Sequence, residues 1–276
     1  MSDRTQHRKA VVTQDYTHLL PAVAEIARNA GKAILEIYRS DDFDVERKDD
    51  GSPLTRADTA SEAVILPALS ALTPDIPIVS EESADTNATP DKVGDRFWLV
   101  DPLDGTKEFL KRNDEFCVSL GLIVDGIPVL GVLHGPALDV TYAGAGANTA
   151  WRAYGDGAPQ PIACRVPAAD GIDVLASRSH RNDDKLESFL AAYTVRDRVP
   201  QGSALKFGRI AAGEVDLYPR LGPTMEWDTA GGHALILAAG GSVLSIGDDL
   251  SVNGPLQYAK PNYLNGNFLV AGKPAA

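Results

Sequence analysis

Cysteine, methionine and long apolar runs are all scarce in this chain of 276 residues. The two cysteines, Cys117 and Cys164, form neither a CxxC pair nor a cluster with histidine. They read as buried free thiols rather than a disulfide, which suits a reducing compartment. No apolar run reaches the ~18 residues of a spanning helix, so no integral membrane segment is expected. The amino-terminal MSDRTQHRKA has no apolar core region and predicts no signal peptide, which makes the cytoplasm the expected location. Weak peripheral association with the inner membrane surface stays compatible with the sequence, although nothing encodes an anchor. Positive charge is also in deficit: 26 Lys and Arg against 38 Asp and Glu give a formal net charge of -12. That excludes nucleic-acid binding through a general basic surface. P-loop, GxGxxG, HExxH and GxSxG patterns are missing. An EF-hand reading fails as well. With Gly105 at its sixth position the twelfth is Lys111, where a glutamate is required.

What the chain does have is carboxylate at the ends of apolar segments. The length predicts one compact unit of two lobes. Residues 1–14 are expected to be a flexible tail. Leu19, Leu20, Val23, Ile26, Ala27, Ala30, Ile34 and Ile37 repeat with helical period, predicting a helix from Tyr16 to Arg39. A loop or hairpin follows over 40–54, then a helix from Arg56 to Leu72 and a strand from Ile76 to Val79. A polar stretch to Asp95 reads as a surface loop, and Phe97 to Val100 as a strand. Two apolar runs broken by Asp125-Gly126 predict a hairpin, with a third strand in DVTYAGAG. The Gly- and Pro-rich stretch from Gly155 to Pro167 divides an N-terminal α+β lobe (15–155) from a C-terminal α/β lobe (156–276). In the second lobe strands and helices alternate: Ile172–Ala176, Asp183–Ala192, Thr194–Val199, Ser203–Ala212, Val215–Tyr218, Asp228–Ala239 and Ser242–Ser245.

The stretch WLVDPLDGTKEF, Trp98 to Phe109, drives Asp101 and Asp104 to the end of a buried strand. Alone it could be a solvated turn, since Asp, Pro and Gly all favour turns. Four further acids share the same context. Glu81 and Glu82 follow the strand Ile76–Val79 in SEES, Asp58 lies in the first turn of a helix, and Asp228 starts an Ala-rich one. Asp58 and Asp228 are favoured there by the helix dipole whatever else they do. Taken together, Glu81, Asp101, Asp104 and Asp228 supply the three or four acidic side chains that, with backbone carbonyls, waters and substrate phosphate, a pair of Mg²⁺ ions needs for in-line phosphoryl transfer. Pro102 offers no N–H to compete for the carboxylates, and the amides of Gly105 and Thr106 could cradle phosphate.

D101-P-L-D-G-T106, the upstream Glu81-Glu82 and the downstream W227-D228-x-A230-G231 resemble the signatures of the inositol monophosphatase-like superfamily, whose members are metal-dependent, lithium-sensitive phosphatases. The match extends from about Tyr16 along nearly the whole chain. Within that superfamily the likeness is greatest to the CysQ-type 3'(2'),5'-bisphosphate nucleotidases. Lys107-Glu108-Phe109, the segment Ala176 to His180, and Gly202 to Leu235 carry it. One departure is Ala204, where that branch usually shows a second serine after Ser203.

The resemblance implies an α+β fold of layered αβαβα type and two or three Mg²⁺ ions per site. It gives Glu81, rather than Glu82, to the first metal. Asp101 would bridge two metals, the Leu103 carbonyl would complete the first, and Asp104 and Asp228 would hold the second. Asp58 and Thr106 would orient and deprotonate the attacking water, and the Gly105 and Thr106 amides would contact the scissile phosphate. A second phosphate calls for cations, for which Lys206, Arg220, Arg178 and His180 are the candidates, with Ser203 as a hydroxyl contact. Tyr218 and His180 could flank an adenine, although Tyr218 could equally be core, and Lys107 reads as a local electrostatic or structural partner. The implied activity is hydrolysis of the 3'-phosphate of adenosine 3',5'-bisphosphate to AMP and phosphate, in sulfur assimilation or nucleotide recycling, by a monomer or homodimer. Two alternatives stand beside it. One is a broader inositol or sugar phosphatase with the same metal site. The other is an inactive nucleotide-binding regulatory protein, which should have lost one of these acids and has not.

Overall fold

The computed structural model describes residues 15–40, 45–47, 53–85, 93–176 and 184–273. The expected tail over 1–14, Arg178 and His180 all fall outside the described residues. The first half begins with helix α1 (Leu20–Tyr38), a two-residue hairpin β1 (Glu46–Arg47) and β2 (Pro53–Leu54), and helix α2 (Arg56–Leu72). Strand β3 (Ile78–Ser80) runs directly into the short helix α3 (Glu81–Asp85). Strand β4 (Arg96–Asp104) precedes the short helix α4 (Thr106–Leu110). Five more strands follow: β5 (Cys117–Val124), β6 (Ile127–Gly135), β7 (Val140–Ala145), β8 (Trp151–Tyr154) and β9 (Gln160–Pro161). The second half holds β10 (Ile172–Ala176), α5 (Asp184–Leu190), β11 (Val195–Pro200), α6 (Leu205–Ala211) and β12 (Leu217–Arg220). It closes with β13 (Thr224–Met225), α7 (Trp227–Ala238), β14 (Ser242–Ile246), β15 (Val252–Pro255), β16 (Leu264–Asn265) and β17 (Phe268–Ala271).

Strands β3 to β9 form a seven-stranded sheet in sequence order. Only β3 and β4 pair in parallel within it; every later neighbour is antiparallel. The β5–β6 turn is the expected Asp125-Gly126, with φ of 51° and 75°. Both central residues of a two-residue turn at positive φ match the right-handed twist of the flanking strands. A second sheet of six strands runs β11-β10-β12-β17-β14-β15. The expected alternation holds only for its parallel β11-β10-β12 side. Strands β14, β15 and β17 complete it in antiparallel fashion. Neither β15 nor β17 is among the elements expected from the sequence, which end at Ser245.

Three apolar clusters show how the layers stack. Val23, Ala27 and Ile34 of α1 and Ile65 and Leu69 of α2 pack on Trp98, Val100, Leu122 and Val132 of the first sheet. The opposite face, with Phe97, Leu99 and Leu133, meets Phe207 and Ile210 of α6 and Leu235 and Ile236 of α7, and beyond them Val243, Phe268 and Val270 of the second sheet. Leu186, Phe189 and Leu190 of α5 cover that sheet's outer face at Val174, Leu217 and Leu269. The order is therefore αβαβα. Burying each such Leu, Ile or Phe stabilises the fold by about 1.5–3 kcal/mol.

Helix α7 lies against both halves, and glycine lets it lie close. A Cβ on Gly131 of β6 would overlap the carbonyl of Gly231, and one on Gly121 of β5 would stand 2.6 Å from the Ala230 Cβ. Backbone thus packs on backbone where A230-G231-G232 crosses the first sheet. That contact fixes the start of α7, and with it Asp228, against the end of β4.

Candidate active site

Strand β4 is longer than its apolar run suggests, so Asp101 and Asp104 lie within it. Its register with β5 slips there: Asp101 pairs with Ser119 and Asp104 with Cys117, so three steps on one strand face two on the other. The bulge holds Pro102, which has no N–H to give to a ladder. Ser61 of α2 donates to the Pro102 carbonyl at 2.7 Å and pins the corner from outside. Inside it, Asp101 Oδ1 accepts the Leu103 N–H at 2.9 Å, and Thr106 Oγ1 donates to the Leu103 carbonyl at 3.3 Å. Gly105 follows at φ 97°, and a Cβ there would stand 3.0 Å from the Glu115 carbonyl oxygen. A side chain is unfavourable at that point on both counts.

Because β3 runs parallel to β4, with Ser80 opposite Val100, the two strands end side by side. That places Glu81, first residue of α3, next to Asp101. The first turn of α7 brings Asp228 from the other half. One oxygen from each of Glu81, Asp101 and Asp228 lies within 4.8 Å of the others. Asp104 adjoins this group; its Oδ2 accepts the Ala204 N–H and faces Cys117 Sγ at 4.0 Å. Asp228 Oδ2 accepts the Met225 N–H at 2.8 Å. Burial, followed by the charges of Glu81, Asp104, Asp228 and Asp58, holds the Asp101 carboxyl well above its usual range. Burial, then Asp104 and Glu81, does the same for Asp228. Asp104 is pushed up to about 6 by burial, against the opposing charge of Lys206 and the Ala204 N–H. Carboxylates crowded in this way are stabilised by a cation between them, and an all-oxygen donor set suits a hard divalent ion.

Asp58 is placed by helix-capping chemistry. It is the third helical residue after the N-cap Thr55 of α2, and its Oδ2 accepts the Thr55 N–H at 2.8 Å and the Thr55 hydroxyl at 2.7 Å. This is a capping box with aspartate in the usual Glu position. The buried Asp58 is close enough for its charge to bear on Asp101.

A cleft of about 780 Å³, part of it open solvent, adjoins the acids. Asp104, Gly105, Ser203, Lys206, Tyr218, Arg220 and Asp228 of the sequence-derived set all line it. Lys206 Nζ stands 5.0 Å above the Tyr218 ring, and Tyr218 is only 4 % exposed, so that ring supports the ammonium from below. Arg220 donates through Nη2 to the Pro223 carbonyl at 3.2 Å, while its buried Nε has no partner among the described residues. The loop carrying Ser203 is tied to the first half, since Gly202 N–H donates to Glu115 Oε2 at 2.7 Å and Ala204 N–H to Asp104. Ser203 itself holds φ 50°, a left-handed conformation that costs a non-glycine residue of order 1 kcal/mol or more. Lys107, read from the sequence as a local partner, is on the cleft wall with Glu108. Phe207, Thr224 and Phe268 also line it and were not anticipated. Phe207 had a signal in its place beside Lys206; Phe268 had none, its strand being unassigned.

Residues 15–275 match the model of the inositol monophosphatase family. The chain belongs to that family. Its members are metal-dependent phosphatases, which agrees with the acid cluster. Among relatives, the chain is 46% identical over 226 residues to the 3'(2'),5'-bisphosphate nucleotidase CysQ of Salmonella typhimurium, covering 82% of this chain and 89% of the relative. It is 42% identical over 255 residues to the protein of that name in Escherichia coli, covering 92% and 99%. Within this inositol monophosphatase family, the crystal structure of CysQ from Bacteroides thetaiotaomicron superposes with a TM-score of 0.76 at 34% identity, over 94% of this chain and 98% of that one. The resemblance stated from the DPLDGT and WDTAG motifs is thereby borne out, as is the layered fold. No helix among the described residues is long and apolar enough to cross a membrane.

Proposed function

We propose that this chain is a Mg²⁺-dependent 3'(2'),5'-bisphosphate nucleotidase that hydrolyses the 3'-phosphate of adenosine 3',5'-bisphosphate to AMP and phosphate. The observation that carries this reading is the meeting of two unlike surfaces. An oxygen-only acid cluster of Glu81, Asp101 and Asp228 adjoins a cleft whose wall bears Lys206 and Arg220. A substrate with one phosphate to lose and a second to be held by cations fits both. The names of the relatives point to the same substrate class.

In this reading Glu81, Asp101, Asp104, Asp228 and the Leu103 carbonyl hold two or three Mg²⁺ ions. Once bound, such ions neutralise charge on the transferring phosphoryl group and make a coordinated water more acidic. The Gly105 and Thr106 amides hold the scissile phosphate. The Thr106 hydroxyl orients the attacking water, and Asp58, fixed by Thr55, takes its proton; a modest carboxylate base suffices for so acidic a water. Water attacks phosphorus directly, the bond from phosphorus to the ribose 3'-oxygen breaks, that oxygen takes a proton from solvent while Asp58 releases the one it accepted to solvent, and no covalent bond to the protein forms. Lys206 serves the second phosphate as a point charge and Arg220 as a planar fork. Arg178 and His180 are candidates for the same task or for the adenine, with Ser203 and Tyr218 at the cleft floor.

The test is phosphate release from adenosine 3',5'-bisphosphate and from inositol 1-phosphate, each with Mg²⁺, with EDTA and with Li⁺. Preferential turnover of the bisphosphate, abolished by EDTA and inhibited by Li⁺, is expected. A clear preference for the inositol ester would overturn the substrate assignment.

A further inference from the structure

The turn that carries Asp228 is wrapped by a strap, residues 256–265, whose Leu256 and Tyr258 are buried in the core. Its anchor is Glu226, two residues before Asp228 and fully buried. The Glu226 carboxylate accepts the Ala259 N–H at 3.0 Å, the Lys260 N–H at 2.9 Å and Lys260 Nζ at 2.6 Å. The Glu226 backbone N–H returns a bond to the Tyr263 carbonyl at 2.7 Å. Three residues of the strap, Ala259, Asn262 and Tyr263, hold positive φ. Such conformations cost free energy and persist only where the surroundings impose them. Here Glu226 acts on two of the three, its carboxylate accepting the Ala259 N–H and its backbone N–H donating to the Tyr263 carbonyl.

The strap grips the same turn from two further sides. Asn265 Nδ2 donates to the Met225 carbonyl at 2.9 Å and to Thr229 Oγ1 at 3.0 Å. Tyr258 donates its hydroxyl to Thr229 Oγ1 at 3.2 Å, and Thr229 Oγ1 donates onward to the Glu226 carbonyl at 3.1 Å. With that hydroxyl proton committed, the 3.1 Å contact between Tyr258 and His233 Nδ1 requires the ring nitrogen to be the donor. Residues 225, 226 and 229 are thus held from outside on either side of Asp228. Among the described residues, the Asp228 carboxylate takes its hydrogen bond from Met225, itself gripped by Asn265.

We infer that Glu226 is a positioning residue for Asp228: its buried carboxylate fixes the strap, and the strap fixes the turn from which Asp228 reaches the metal centre. This inference rests on the reading of Asp228 as a metal ligand. Groups that hold a ligand in place without touching the metal typically cost 10–100-fold in metal affinity or activity when changed. A Glu226→Gln side chain keeps the shape but turns an amide against the backbone donors of Ala259 and Lys260.

The experiment is titration of the full chain with Mn²⁺ alone, followed by electron paramagnetic resonance, with melting temperature measured on the same samples. Four variants are compared with wild type. Asp228→Asn reports on the metal reading itself and is expected to weaken Mn²⁺ binding strongly. Glu226→Gln is expected to weaken it about 10-fold. Arg165→Gln, in a distant ion-pair cluster, is expected to lower the melting temperature with Mn²⁺ affinity unchanged. Lys260→Gln, which spares the backbone donors, is expected to weaken binding about threefold and decides the matter if Glu226→Gln does not fold. If Asp228→Asn binds Mn²⁺ as wild type does, the metal reading fails. If Asp228→Asn weakens binding while Glu226→Gln and Lys260→Gln change only the melting temperature, the positioning role is overturned and the strap is scaffold.

Discussion

Two clusters of aspartates are buried in this molecule, and their surroundings are opposite. At the end of the second sheet, Asp216 and Asp173 meet Arg165 and Arg196. Arg165 grips both oxygens of Asp216 at 2.7 and 2.8 Å and reaches Asp173 at 2.6 Å, and Arg196 Nε donates to Asp173 at 2.8 Å. The Arg196 hydrogen bond, then that of Arg165, holds the Asp173 carboxyl below its usual range. At the end of the first sheet, Asp101, Asp104 and Asp228 have no ion-pair partner among the described residues, and all three carboxyls are held high. One cluster is complete within the protein and the other is completed by something that arrives. A buried acid beside an arginine is architecture; buried acids facing one another are a site.

That contrast can be broken by mutation. The largest expected effect is on activity: Asp101→Asn should lower phosphate release by roughly 10³-fold or more, the scale of the charge stabilisation a metal supplies. Its melting temperature without metal should equal or exceed that of wild type, since one of several repelling charges is gone. A variant with near-normal turnover in Mg²⁺ would sink the two-metal assignment. In the other cluster the outcome should be reversed. Asp216→Asn removes the charge that a buried acid presents to the partly exposed Arg165 and should cost about 1–2 kcal/mol of stability by urea unfolding, with kcat within twofold of wild type. Loss of turnover in folded Asp216→Asn would show that the two clusters are not independent.

A smaller effect sharpens the comparison through pH. Burial, with the charge of Lys260 added, holds the His233 imidazole down at about 3, against an ordinary value of 6.5. The unfolded chain therefore takes a proton from pH 6.5 downward that the folded chain refuses until about pH 3. The contribution is complete above pH 6.5 and is lost as pH falls towards 3, by up to about 1.4 kcal/mol per pH unit. Unfolding free energy at pH 5 should lie about 2 kcal/mol below that at pH 7 through this residue alone. His233→Asn should remove about that much of the difference, leaving the part that His134, held down at about 4 by burial, supplies; an unchanged slope would show that His233 contributes nothing.

Much of this was legible in the sequence, and unevenly so. Helix α2 runs from Arg56 to Leu72 as expected, and the SEES, DPLDGT and WDTAG stretches hold the acids that meet. Motifs are legible because they are local: a proline at a bulge, a glycine at positive φ and an acid in a first turn each follow from neighbours in the chain. Strands β15 and β17 were illegible: β15 is VNGP, a turn-like sequence, and β17 is a strand through the partners β12 and β14 that flank it. The strap over Asp228 was illegible for a related reason. Glu226 and Lys260 are 34 positions apart, and nothing in either neighbourhood announces that one carboxylate will hold three donors of the other's loop. The cleft lay between these extremes, with Lys206 and Arg220 found as charges and Phe268 missed as a wall.

The crossing of α7 over the first sheet has a consequence for any survey of tolerated substitutions. Ala230, Gly231 and Gly232 look like the most replaceable letters in the chain, and Gly121 and Gly131 look like ordinary strand filler. Yet a single methyl group at 131 has nowhere to go, and one at 121 meets Ala230 at 2.6 Å. Inserting volume where two backbones touch would push the helix, and Asp228 with it, away from β4. In a scan of every substitution scored by turnover, these positions should be as intolerant as the acids themselves. A reader of such a map would assign chemistry to residues whose whole contribution is the absence of a side chain.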